Sequence, residues 1–150
     1  MATPPNLTTR RGAATTETAV VLVVVLLLTV GVFDLGMGIF RNNLLSQGAR
    51  QGARLAVVHG KLATQLGAWG PDTYRGTGDS SDPIATEMRP YLAGLDPSLV
   101  DITVEWLDGS NEIGRRVRVT MSTRYQPFLT IVFGNTTYTL IASSTLRITH

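Results

Sequence analysis

The sequence predicts an α+β protein in which a long N-terminal transmembrane helix continues into a small extracytoplasmic domain with a three- to four-stranded antiparallel sheet. Three observations support this prediction: an uncharged apolar run over residues 18–33, no proline between residues 13 and 70, and alternating apolar and polar residues in the last fifty positions. The 150 residues are 43% apolar and only 16% charged, whereas an ordinary soluble domain has roughly 25% charged residues. The low charged fraction, together with the concentration of apolar residues in one uncharged run, indicates a membrane segment.

The chain opens with a polar segment, residues 1–9, followed by the pair Arg10 and Arg11. We expect residues 1–9 to be disordered, because one isolated leucine and two prolines offer nothing to bury. The net charge of +2 would fall to zero without residues 1–12. The remainder therefore has no surplus of positive charge for phosphate groups, and we predict no binding to nucleic acid.

From Ala13 we predict one continuous helix, because the backbone of a segment in lipid must satisfy its own hydrogen bonds. The stretch from Ala13 to Phe33 gives roughly 32 Å of helix, enough to cross a hydrocarbon core of about 30 Å. That span places Glu17 inside lipid. At its other end, we expect Asp34 to face the exported side, where water solvates it. The transmembrane helix is assigned to residues 13–40.

The helix is expected to continue outside the membrane over residues 41–59, where the tetrapeptide Gln-Gly-Ala-Arg occurs twice in succession. Four-residue spacing aligns its small residues along one side of the helix. A narrow face of small residues lets another element approach closely. That element is either the protein's own domain or a neighbouring subunit. The small residues are Gly48, Ala49, Gly52 and Ala53.

The remaining residues, 60–150, are predicted to form the α+β extracytoplasmic domain. The stretch 67–83 is rich in glycine, aspartate and serine, which predicts a loop facing outward. Asp82 is expected to cap a short helix over residues 83–93 that Pro90 kinks.

Three alternating runs near the C-terminus predict antiparallel strands. The first two, 102–106 and 117–121, are separated by a predicted hairpin turn at 108–111. A sheet with one apolar face needs a cover, and we expect the helix around residues 45–57 to provide it. The third run, 138–148, is predicted to place on one side Tyr138, Leu140, Ala142, Leu146 and Ile148.

No constellation of residues in the sequence supports catalysis, so we predict that the protein is not an enzyme and carries no cofactor or metal. Cysteine is absent, which excludes disulfides, a thiol nucleophile and thiolate metal sites. His59 and His150 have no second ligand at metal spacing, and we expect both at solvent-exposed ends of elements.

A glutamate stands close to the start of the apolar run, at the fifth residue after Gly12. A carboxylate at the centre of a span costs about 2.5–3.5 kcal/mol and usually marks function. Physics alone also allows Glu17 to be an interfacial residue of an uncleaved anchor. The order Arg-Arg-Gly, Glu17 and apolar helix resembles the type IV prepilin signal, which a membrane-embedded prepilin peptidase cuts after glycine. The resemblance implies a processing site formed by Gly12, Ala13 and Glu17.

The longer stretch 10–58 resembles the TadE-like minor pilins of the tight-adherence pilus, including the region from Asp34 to Gly36 and the Gln-Gly-Ala-Arg repeat. The last strand, 138–149, is also similar to the end of that family. Some relatives carry cysteines near the C-terminus that this chain lacks. The resemblance implies a pilin-like fold and a structural minor pilin or pseudopilin that acts in assembly of, and adhesion by, a tight-adherence pilus or in a related secretion machine.

The same resemblance implies as partners a prepilin peptidase, other pilin-like subunits, the pilus assembly platform and the lipid bilayer. It implies a prepilin leader at residues 1–12, location in the cytoplasmic (inner) membrane, and incorporation into a surface pilus as one outcome. Cations flank the single span on both sides and leave its orientation open; we expect the N-terminus in the cytoplasm and the domain outside, because a single apolar segment near the N-terminus would otherwise have to translocate its own start. Removal of the leader exposes the amine of Ala13, with which the Glu17 carboxylate of the same or an adjacent subunit can pair. The implied packing residues are Glu17, Asp34, Gly48, Ala49, Gly52 and Ala53.

Two alternatives are open from the residues alone. A secreted or membrane-anchored binding domain of the cell envelope could use an ordinary signal peptide, with small residues after the apolar run at Thr29, Gly31, Gly36 and Gly38. The second alternative is an uncleaved single-pass anchor for an unrelated envelope complex.

Overall fold

A computed structural model of the chain describes residues 7–63, 66–134 and 136–149. One long helix, α1, runs from Leu7 to Val58 and is followed by a smaller part, residues 60–150, here called the head. The elements of the head are β1 (Tyr74–Thr77), α2 (Pro83–Met88), β2 (Val100–Trp106), β3 (Arg116–Tyr125), α3 (Phe128–Phe133) and β4 (Tyr138–Arg147), with single 3-10 turns at Arg89–Leu92 and Pro97–Leu99.

Helix α1 has 52 residues, or roughly 78 Å at about 1.5 Å per residue. No residue of its most apolar window is buried, and it is long and apolar enough to cross a membrane. The helix begins at Leu7, so the expected disorder is wrong for residues 7–9. A formed helix adds one hydrogen bond for each further residue, which lets a long helix extend into a segment that would not nucleate alone. Residues 1–6 lie outside the described residues.

The sheet has four antiparallel strands in the order β1-β2-β3-β4, which confirms the predicted α+β class and the three- to four-stranded sheet. Strand β1 lies within the stretch that the sequence predicted to be loop. Its four residues pair with β2, with Tyr74 opposite Val104 and Thr77 opposite Asp101. A short edge strand that contains a glycine depends on tertiary pairing more than on propensity, so its composition resembles that of a loop.

The predicted helix over residues 83–93 is present as α2 followed by the 3-10 turn that contains Pro90. The α-helix therefore ends before Pro90, as a proline requires. Asp82 occupies the N-cap position, but its carboxylate does not cap the helix. It accepts instead from the hydroxyls of Ser80 at 2.5 Å and Tyr74 at 3.3 Å. Both hydroxyls donate to Oδ2, and they hold the carboxylate toward Ser80 and Tyr74 in place of the first N–H groups of α2.

The predicted turn at 108–111 lies inside a longer connection, residues 107–115, between β2 and β3. Asp108 closes it by accepting from the Arg116 side chain at 2.7 Å and from the Arg116 backbone N–H at 2.8 Å. These hydrogen bonds lower the pKa of Asp108 to about 2. Asn111 is buried and donates to the carbonyl of Trp69 at 2.9 Å. The side chain of Asn111, at the end of the predicted turn, therefore points into the head.

Helix α1 covers one face of the sheet, as the sequence predicted. The expected apolar side of β4 is wrong in part, because Tyr138 is 52% exposed and Leu146 is 38% exposed. Strand β4 is an outer strand of the sheet, and of the residues expected on this side Ala142 and Ile148 are buried, with 8% and 1% of their surface exposed. The contacting core residues are Leu45, Ala49, Ala53 and Ala56 from α1 with Val117, Val119, Met121 and Ala142 from the sheet.

Candidate functional site: the face of α1 that holds the head

One face of α1 holds the head over half of the helix, from Gly31 to Ala56. Its residues recur every three or four positions, the spacing that aligns side chains on one side of a helix. At about 1.5 Å per residue the contact is roughly 38 Å long. We call this face the seam, and its members are Gly31, Asp34, Gly38, Arg41, Leu45, Gly48, Ala49, Gly52, Ala53 and Ala56.

The small residues of the seam bring the backbone of α1 close to the sheet. A Cβ built on Gly48 would lie 2.9 Å from Sδ of Met121, and one built on Gly52 would lie 3.2 Å from Cγ1 of Val119. Real Cβ atoms essentially never approach to 2.9 Å, and 3.2 Å is tighter than most Cβ contacts, so a larger residue requires the neighbours to move. Of the two partners left open by the sequence, the structure shows the protein's own sheet. The predicted packing residues Gly48, Ala49, Gly52 and Ala53 meet there.

Asp34 joins α1 to the start of α3. Its carboxylate accepts from the backbone N–H of Phe128 at 2.9 Å and from that of Leu129 at 2.8 Å. Its main-chain oxygen accepts from the Tyr125 hydroxyl at 2.9 Å. The first N–H groups of a helix lack intrahelical partners, and a carboxylate satisfies them well. Asp34 is partly exposed, and amides of the head take part of the place that the sequence predicted for water alone.

A tyrosine at the end of β3 completes this contact. The Cζ of Arg41 lies 5.2 Å from the centre of the Tyr125 ring, and a Cβ on Gly38 would lie 3.4 Å from that ring. Burial raises the pKa of Tyr125, with a smaller contribution in the same direction from Asp34. Together Asp34, Gly38 and Arg41 hold one side chain against two turns of α1.

His59 lies at the other end of α1 and is buried, with 3% of its surface exposed. The expectation of a solvent-exposed histidine is wrong at this position. The imidazole stacks on Trp69 with ring centres 4.1 Å apart, and its Nδ1 lies 2.9 Å from the carbonyl oxygen of Leu55. The loop after α1 folds back, since the Trp69 N–H donates to the His59 carbonyl at 2.8 Å. His150 lies outside the described residues.

The predicted processing residues lie at the opposite end of α1 from the head. Gly12 and Ala13 are within the helix, and Glu17 is exposed. All side chains from Ala14 to Thr29 are exposed. The structure therefore separates the predicted residues into two groups, the processing positions on the projecting part of α1 and the others on the seam.

The helix α3 and the role of Asp34 as its partner were not foreseen from the sequence. The available signal was local: Pro127 precedes an apolar stretch that ends at Gly134, which is typical of a short helix with a proline near its start and a glycine at its end.

Comparison with known proteins gives one family. The model of the TadE-like protein family matches residues 12–54, which run from the predicted processing site through the repeated Gln-Gly-Ala-Arg of the seam. No curated protein matches the chain, and no solved structure matches it. The apolar part of α1 fits a single-pass membrane protein. The resemblance to the TadE-like family, a structural family associated with the tight-adherence pilus, is therefore confirmed over residues 12–54.

Proposed function

We propose that the protein is a minor pilin or pseudopilin, a structural subunit that a prepilin peptidase processes and that acts in assembly of, and adhesion by, a tight-adherence pilus or in a related secretion machine. The observation that carries the proposal is the division of α1. From Ala14 to Thr29 its side chains are mostly apolar and all exposed, whereas its C-terminal part is fixed to the head. A chain built in this way offers a long apolar helix to lipid or to the helices of other subunits.

Glu17 supplies the specificity of that association. It lies on the exposed part of α1, one residue before the uncharged run. A cut after Gly12 would create an ammonium group at Ala13, four residues away and thus on the same side of the helix. A charge pair in a medium of low dielectric repays its desolvation only when both members are present in good geometry. When the ammonium belongs to Ala13 of an adjacent subunit, the pair forms at one register of the two helices, and that register is favoured.

The remaining partners follow from this arrangement. The prepilin peptidase acts at the projecting end of α1, the bilayer surrounds its apolar part, and the assembly platform and other pilin-like subunits receive the processed helix. Translocation of the head places it outside the inner membrane, with residues 1–12 on the cytoplasmic side.

The position of the seam disfavours the alternative of a secreted domain with an ordinary signal peptide. An ordinary signal peptidase that recognised the pair Thr29 and Gly31, or the pair Gly36 and Gly38, would cut after the second residue of the pair and thus within the seam. A cut after Gly38 would remove Asp34 and with it both hydrogen bonds to the start of α3. Processing after Gly12 leaves the whole seam in the mature chain.

Replacement of Glu17 by alanine tests the proposal. We expect Glu17→Ala to insert in the membrane normally, since it removes a carboxylate whose burial costs about 2.5–3.5 kcal/mol, but to lose most cross-linking with other pilin-like subunits. Because the chain has no cysteine, single cysteines at Leu22 or Leu28, which are 59% and 67% exposed, report contacts between helices.

Two further variants control this experiment. Glu17→Asp should be intermediate, because it keeps the charge and shortens the reach. Thr18→Ala should cross-link normally, since its hydroxyl donates to Ala14 of its own helix at 2.9 Å. Undiminished cross-linking of Glu17→Ala with normal leader processing would contradict a role of the carboxylate in subunit register.

A further inference from the structure

The short helix α3 belongs to a long uncharged segment of the head. Residues 125–146 contain no charged side chain, and the sequence of α3 is Phe-Leu-Thr-Ile-Val-Phe. Phe128, at its start, is 58% exposed. Single exposed apolar side chains also occur on surfaces that face water, so the level of α3 along α1, and not the exposure of Phe128 by itself, indicates what α3 contacts.

The contacts of α3 with α1 give its level along the membrane helix. A Cβ on Gly31 would lie 3.4 Å from Cδ1 of Leu129, whereas Tyr125 lies at the level of Gly38. The chain therefore descends by about seven residues of α1, roughly 10 Å, between Tyr125 and Leu129. At the lower level the side chains of α1 that face outward are large and apolar: Val32 is 74% exposed and Phe33 is 74% exposed.

The residues at the upper level are those of a membrane boundary. Tyr125 and Tyr138 are paired across β3 and β4, and the guanidinium of Arg41 lies over the Tyr125 ring. Tyrosine concentrates at the level of lipid headgroups, and arginine near the ends of a span reaches the same level. Tyr125 itself is largely buried against α1, whereas Tyr138 opposite it is 52% exposed, so the polar boundary lies at the level of Tyr138 and Arg41, with α3 on its apolar side.

The charge of Asp34 can be accommodated at the level of α3, on the apolar side of this boundary. It is the only charged residue between Thr18 and Phe40, and each of its carboxylate oxygens accepts a backbone N–H of α3. Such charge-assisted hydrogen bonds replace those that water would otherwise supply, which lowers the cost of placing the group near lipid. The same two bonds satisfy amides at the start of α3, which lipid could not do.

We propose that α3 is a second lipid-contacting element, which inserts beside α1 into the leaflet that adjoins the head and is held there by Asp34. The occupant of the surface around Phe128 is lipid, because Phe128 lies in a segment without charged side chains and at the level of the exposed Val32 and Phe33 of α1. The proposal rests on the membrane insertion of α1, which is part of the proposed function. The head is then seated in the bilayer surface and does not merely hang from a single helix.

The test uses the full chain, which has no cysteine of its own, in vesicles of phosphatidylcholine and phosphatidylglycerol. A single cysteine at position 128 carries an environment-sensitive fluorophore, and quenching is measured with doxyl-labelled lipid and with aqueous iodide. Val32→Cys is the control for lipid contact. Ile113→Cys is the matched control for water, because Ile113 is 57% exposed, as apolar as Phe128, and lies in the β2–β3 connection near Lys61, beyond the far end of α1.

We expect the label of Phe128→Cys to behave like that of Val32→Cys, with strong quenching by doxyl lipid and protection from iodide, while the label of Ile113→Cys shows the reverse. A label at position 128 that is quenched by iodide as strongly as the label at position 113 would overturn the proposal and leave insertion of α1 intact. Protection that appears only at high protein-to-lipid ratio would overturn it in favour of a second copy. Iodide quenching at position 32 would overturn insertion of α1 itself, and with it the proposed function.

Discussion

Gly52→Leu is expected to loosen the head from α1 and to lower the free energy of unfolding of the head by roughly 1–3 kcal/mol, the usual effect of overpacking a core. A Cβ at this position already lies 3.1 Å from Cε of Met88 and 3.2 Å from Cγ1 of Val119, so the rest of a leucine side chain has no space. The loss outweighs the gain in helix propensity, which is about 0.8–1 kcal/mol when glycine is replaced.

Thermal unfolding in detergent measures this effect, and a domain of this size loses about 4–8 °C in Tm for each kcal/mol. Gln47→Leu is the matched control, because it adds a leucine to an exposed position on α1 only five residues away. We expect its Tm to be close to that of the unchanged protein. A rise in Tm for Gly52→Leu would mean that helix propensity outweighs the contact, and the seam would not be as close as the structure shows.

Asp34→Ala is expected to release the start of α3 while the sheet stays folded. The variant removes the acceptor of two backbone N–H groups, and a hydrogen bond to a charged group contributes about 1.5–3 kcal/mol. We expect the amides of Phe128 and Leu129 to exchange with solvent roughly 10–100-fold faster, as local opening of that segment becomes easier.

Amide hydrogen exchange followed by NMR resolves this change. The amide of Val119, in the central part of β3, is the internal control and should keep its protection. Asp34→Asn keeps one acceptor oxygen and should protect one of the two amides. Equal exchange at Phe128 and Leu129 in Asp34→Ala and in the unchanged protein would show that other contacts fix α3 to α1.

The parts of the fold that local patterns determine were predictable. The helix, the cover it provides around Leu45 and Ala53, and the alternation in β2 and β3 all follow from periodicity of the residues. The features that were missed depend on partners distant in sequence. Asp34 and Phe128 are 94 positions apart, and no spacing rule connects a helix residue with the amide of a later helix.

The burial of His59 was missed for the same reason. A histidine at the end of a helix, followed by glycine, is normally exposed, and the local sequence contains no sign that Trp69 stacks on it. Strand β1 likewise exists because β2 pairs with it. The candidate processing residues Gly12, Ala13 and Glu17 were identified by a motif that is local, which is why the sequence alone was sufficient to propose them.

The mature N-terminus is the most direct test of the proposed function. The protein is co-expressed with a prepilin peptidase, and the intact mass of the membrane-bound chain is determined by mass spectrometry. We predict a chain that begins at Ala13, and we predict that Gly12→Leu, which places a bulky side chain where glycine stood, retains the leader. A chain that keeps Met1 or Ala2 in the presence of active peptidase, or one that begins beyond residue 29, would contradict the account.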